Sequence, residues 1–105
     1  MKTKAIIDGK RYNTQTATKL ASHWNKRGDN DFLHIWEILY RTPKGQYFLS
    51  GEGGAQTKYS IQEGNTHWGG SRIVAMTAEE ARAWLEEHQK IDALEAEFGK
   101  DIVDA

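Results

Sequence analysis

The chain has 105 residues, 38% of them hydrophobic and 10% aromatic, with a formal net charge of −1. This length fits one domain, residues 1–105, with one modest core. The absence of Cys excludes a disulfide framework and a Cys-based zinc site, and no apolar run approaches the roughly 18 residues of a membrane span.

The charge is unevenly placed. Residues 1–77 carry 11 Lys/Arg against 6 Asp/Glu, and residues 78–105 carry 3 against 9. This is neither a polybasic nucleic-acid binder nor a uniformly acidic nucleic-acid mimic. The split reads either as a solvated acidic helix beside a mildly basic sheet or as a bipolar surface in which one pole docks on a partner.

In chain order, the opening "MKTKAIIDGKRYN" has charge but no apolar h-region, so no signal peptide is expected. With no Cys, a reducing cytoplasm is the expected home. Within that stretch Asp8-Gly9, between "AII" and "KRY", predicts a hairpin closed by a type I′ turn. "NTQTATKLASHW" is ambiguous. Asn13 or Thr14 suits a helix cap, whereas Thr14, Thr16 and Thr18 suit a strand. The reading adopted is a short turn or helical start, with "KLASHW" extended. "NKRGDND" is a loop by composition.

"HIWEILYRT", the turn "PKG" with the single proline Pro43, and "QYFLSG" predict the strongest strand pair. Alternation puts Trp36, Ile38 and Tyr40 on one face and Ile35, Glu37, Leu39 and Arg41 on the other. The more apolar first face is expected to meet the core. Glu37, on the second, is expected either to pair with a cation or to be functional.

Residues 51–72 hold six glycines and no long periodic element, so they read as a long irregular connection. "RIVAM" reads as one more short strand. "TAEEARAWLEEHQKIDALEAEFGKD" predicts a helix over 78–98. Thr77 and Glu80 form a capping box, and Ala81, Trp84, Leu85, His88, Ile91, Leu94 and Phe98 form an apolar stripe. Trp84, Leu85, Ile91 and Phe98 are expected to be buried against the sheet, and Gly99 to stop the helix. A break near His88–Lys90 would make two helices. The fold class expected is α+β: a small antiparallel sheet of three to five strands, with N-terminal hairpins, packed on a C-terminal helix.

The motifs that suggest chemistry fail on context. "GEGGAQTK" follows a strand, but Lys58 lies four residues beyond Gly54 and no helix follows, so it is no P-loop. Its glycines are expected to release the strand into positive φ or to let another segment pass close. His23, His34, His67 and His88 show no metal-ligand spacing. Ser50, Ser60 and Ser71 form no nucleophile elbow, and Glu37 with Glu52 reads as a polar sheet face. No catalytic residue, cofactor or metal is expected, and the chain is read as a non-enzyme.

Two kinds of contact residue are expected. Trp68 and Arg72, beside the glycine pair Gly69-Gly70, suit a loop that docks on a protein. Glu86, Glu87, Glu95 and Glu97 lie mostly off the apolar stripe and are expected to be free to meet a basic partner surface. Arg41, Lys44, Lys58 and Arg72, near Tyr47, Tyr59 and Trp68, give the alternative, a nucleic-acid-binding protein.

The order "IIDGKRYNTQTATKLAS", "WEILYRTPKGQYFLSGEGG" and "GGSRIVAMTAEEARAWLEEH" resembles a small domain of bacteriophages, prophages and integrative elements. The likeness covers about residues 6–88. It departs at Asn13, where the family often has Asp, and at Ala75-Met76, where it has Pro-Leu. The family has no assigned reaction, so no catalytic residue carries over. The resemblance implies a mobile-element accessory protein, as anti-CRISPR proteins are. It implies a host protein as partner, a CRISPR effector complex in particular, and action in the host cytoplasm as a monomer or small homo-oligomer.

Overall fold

A computed structural model describes residues 1–105. The architecture is α+β, with eight strands and two helices. Strands β1 (Lys4–Ile7) and β2 (Lys10–Asn13) form the N-terminal hairpin. Its turn residues Asp8 and Gly9 have φ of 52° and 76°, the two positive values that a type I′ turn requires.

A meander of three seven-residue strands follows: β3 (Thr18–Trp24), β4 (Ile35–Arg41) and β5 (Tyr47–Gly53). The "PKG" turn closes β4 on β5, with Gly45 at φ 86°. The chain then makes a small hairpin, β6 (Ile61–Glu63) and β7 (Thr66–Trp68), and returns as β8 (Gly70–Met76). The stretch expected to be irregular therefore contains a hairpin of its own. The main sheet has the antiparallel order β3-β4-β5-β8.

Both faces of this sheet are covered, which corrects the expected one-sided core. Leu39 and Leu49 point to the helices and pack with Ala81, Trp84, Leu85 and Leu94. Phe48 and Ile73 point the other way, onto Tyr12 of the N-terminal hairpin, with Tyr40 packed beside them. The hydroxyl of Ser50 donates to the carbonyl of Lys2 at 2.5 Å and ties that hairpin down. The helices thus take the face of β4 that carries Glu37, not the face that alternation marked as more apolar. Trp36, on the latter, is 42% exposed because the hairpin stops short of it.

The C-terminal segment is two helices, α1 (Ala78–Glu87) and α2 (Ile91–Phe98). The capping box forms at Thr77 and Glu80. The break falls at Gln89, whose φ is 52°. Its N–H donates to Glu86 O and that of Lys90 to Leu85 O, the pair of bonds that define a Schellman stop. This turn rotates Ile91 out of the stripe, and it is 54% exposed rather than buried. Gly99 does end α2, but in right-handed conformation, leading into a 3-10 turn at Gly99–Asp101.

Candidate functional site

The glycines of "GEGG" explain how the site is assembled. All three have negative φ, so positive φ is not their purpose. They permit close approach. A Cβ on Gly51 would overlap the ring of Tyr59, and one on Gly53 would strike the side chain of Thr57. On Gly54 it would lie 2.5 Å from the carbonyl oxygen of Phe32 and 2.6 Å from that of Asp31. The segment after β5 therefore folds back onto its own strand, on the helix side of the sheet, alongside α1.

Glu37 sits at the seam between this segment and α1, with its side chain 3% exposed. The Trp84 indole donates to Oε1 at 2.9 Å. The Tyr59 hydroxyl donates to Oε2 at 2.5 Å, and the Lys58 ammonium lies 2.7 Å from the same oxygen. Burial pushes the Glu37 carboxyl up, but the bonds from Lys58, Trp84 and Tyr59 together outweigh it and hold the pKa below its ordinary value. Burial, then the neighbouring Glu37 charge, pushes the Tyr59 phenol up, so it stays a donor. The carboxylate clasps a strand, a loop and a helix together. The expectation that Glu37 pairs with a cation is met by Lys58.

Beside the clasp, His23 of β3 stacks on His88 at the end of α1, with ring centroids 3.8 Å apart. Trp84 meets the His88 ring edge-on at 4.7 Å. Burial first, and the charge of His23 second, holds the His88 imidazole below its ordinary pKa.

The clasp positions one end of the sheet. Register places Trp24, Trp36, Glu52 and Ser71 in one row across β3, β4, β5 and β8, next to the loops that close that end. Trp24, Trp36 and Trp68 are 55%, 42% and 40% exposed, and Phe32 is 64% exposed. The Trp24 ring and the loop between β3 and β4 are held by hydrogen bonds. The Trp24 indole donates to Arg27 O at 2.8 Å. Asn25 Nδ2 donates to Leu33 O at 2.7 Å, and the Ile35 N–H donates to Asn25 Oδ1. The N–H groups of Gly54 and Gln56 donate to His34 O and Phe32 O, joining this loop to the glycine segment.

Trp68 lies on β7 opposite Ile61, and both are exposed. Arg72 lies on β8 with its guanidinium 5.6 Å from the centre of the Tyr59 ring. Glu86, Glu87 and Glu95 are exposed on the helices as expected. Glu97 is not free, which corrects its assignment as a contact. It pairs with Arg41 and accepts a bond from the Tyr47 hydroxyl at 3.1 Å, because the end of α2 crosses the "PKG" end of the sheet. Trp24, Phe32, Leu33 and Trp36 were missed as surface groups. The one signal in the sequence was a count of four Trp, more than one helix–sheet seam needs.

Compared with protein-family models, with curated proteins and with solved structures, the chain has no match.

Proposed function

We propose that the protein is a non-enzymatic binding module of a mobile element, which docks its aromatic end on a host protein. The observation that carries this reading is the exposure of three of the four Trp side chains, on β3, β4 and β7, at or beside one end of the sheet and next to a loop tied by hydrogen bonds. Trp is enriched among the residues that dominate interface energies, and the Trp24 ring, fixed by its bond to Arg27 O, has little rotamer freedom left to lose on binding. The non-enzymatic reading is supported by Glu37, the most buried carboxylate, whose two oxygens are both occupied by internal donors. The sequence resemblance points to a CRISPR effector complex in the host cytoplasm as partner.

The nucleic-acid alternative on Arg41, Lys44, Lys58 and Arg72 is weaker. Arg41 and Lys58 are ion-paired within the molecule, and Tyr59 is buried. The deciding experiment measures CRISPR interference against a targeted plasmid with and without the protein. Loss of interference is expected, with recovery in the double variant Trp36→Ala, Trp68→Ala at an unchanged melting temperature. Full interference in the presence of the folded wild-type protein sinks the effector as partner. Inhibition that survives the double variant removes the aromatic end.

A further inference from the structure

At the opposite end of the sheet, the second strand of the N-terminal hairpin and the "PKG" turn enclose a cleft of about 490 Å³. Lys10 lines one side and Lys44 the other, with Arg11 at the rim, where alternation along β2 turns it toward the outer face of the hairpin beside Ile6. All three are exposed, and none takes part in an ion pair. No carboxylate is among the lining residues. The neutral polar groups add donors. Asn13 Oδ1 accepts from the Gln15 N–H at 2.9 Å, and Thr42 Oγ1 accepts from the Gln46 N–H at 3.0 Å. Their acceptor sides serve the turns, and the Asn13 amide N–H groups and the Thr42 O–H have no acceptor within the molecule.

A concave surface of cations and donors selects an anion. Three features specify which kind. Cationic charge continues past the cleft to Lys19, which lies across from Tyr40 on the same sheet face, so an extended polyanion gains more than a single ion. The one aromatic lining group is Tyr12, at 5% exposure, and the one aliphatic ring is that of Pro43 in the turn, so there is neither a deep apolar pocket for peptide side chains nor an exposed aromatic platform for base stacking. Phosphodiester contacts need cations and polar donors alone and carry no sequence information. A single strand can lay its phosphates into a cleft of this volume, whereas a duplex presents them on a broad convex surface.

We propose that the Lys10–Arg11–Lys44 cleft is a sequence-independent binding site for the phosphodiester backbone of single-stranded nucleic acid. It is separate from the aromatic end. Seven-residue strands place the two ends roughly 20 Å apart, about twice the screening length at ordinary salt.

The test is fluorescence anisotropy of the full chain with a labelled oligothymidylate of about twelve nucleotides, a length within known single-strand site sizes. Three phosphates neutralised on a single strand give a log–log salt slope near −2, and each cation removed lowers its magnitude by about 0.7. Lys10→Ala, Arg11→Ala and Lys44→Ala are each expected to do this, and the triple variant to abolish binding with an unchanged melting temperature. Trp36→Ala is expected to bind the oligonucleotide as wild type does, which keeps this site's failure distinct from that of the aromatic end. An oligouridylate of equal length is expected to bind equally well. Absence of binding by the folded wild-type protein overturns the proposal. So does equal competition by polyglutamate at matched charge, by inorganic phosphate alone, or by a duplex of the same length.

Discussion

Glu37 shows how one side chain organises its surroundings. It draws two buried donors, the Trp84 indole and the Tyr59 hydroxyl, onto the sheet. Glu37→Ala strips both of their acceptor, and an unsatisfied buried donor costs about 1–3 kcal/mol. A loss of about 3 kcal/mol is expected in denaturant unfolding. Lys58→Ala should cost under about 1 kcal/mol, since its side chain is 55% exposed and its charge is screened. Equal losses would mean that the ion pair, not the donor pair, dominates. Acid should weaken the fold in two steps. His88 has a folded pKa below the ordinary value near about 6.5, so the unfolded chain binds its proton first and stability falls as pH drops below that value. The Glu37 carboxyl, also held low, contributes stability above the ordinary carboxylate range that is lost as pH falls through its folded value. His88→Phe should flatten the first step and leave the second, as read from melting temperature against pH. From the sequence, Glu37 was visible as an acid among apolar neighbours in a strand. Its partners lie 21, 22 and 47 residues away, beyond any local pattern.

At the scale of elements, each helix and hairpin that local chemistry specifies is present. The Asp8-Gly9 turn, the Thr77 capping box and the "PKG" turn each close within four residues, so their signals are complete in the sequence. The break between α1 and α2 was only half visible, because it turns on Gln89, a residue with no preference for positive φ. Gln89→Gly removes that strain, and a gain of about 0.5–1 kcal/mol in unfolding free energy is expected, less than the 1–2 kcal/mol of the left-handed penalty because the unfolded chain gains freedom. An unchanged or lower stability would show that the bond from Gln89 Nε2 to Glu86 O outweighs the backbone term. Gly54→Ala has the opposite sign. Its Cβ meets two backbone carbonyls, which cannot move as a flexible side chain can, and overpacking of this kind costs typically about 1–3 kcal/mol. Gly99, at φ −55° with open space around it, should accept Ala with a small gain. The close approaches that "GEGG" permits depend on where residues 31, 32, 57 and 59 arrive, so the motif alone left both explanations of its glycines open.

Across the whole molecule, three surfaces differ in character: an aromatic end, a cationic cleft and an acidic helical face with Glu86, Glu87 and Glu95. The charge split was legible from composition, because most basic residues precede the helices and most acidic ones lie in or beyond them. The two-sided core was not, since Tyr12, which covers Phe48 and Ile73, comes from a hairpin whose docking no local pattern encodes. Complementary charge acts more on encounter than on the bound complex. Reversing Glu86 and Glu87 to Lys should therefore slow association with a basic partner of the kind proposed above and flatten its salt dependence, with dissociation little changed. Unchanged association rates would assign these acids to solvation alone.

Strands β4 and β5 are hydrogen-bonded on both edges and covered on both faces, while the β6–β7 hairpin pairs with no other strand. Their amide protons should exchange with solvent on different clocks. Those of β4 and β5 require global unfolding, and those of β6–β7 need only local opening. A ligand seated on the aromatic end should lengthen the hairpin's exchange times and leave those of β4, already slow, little changed, so deuterium uptake would locate the docked face before any complex is crystallised.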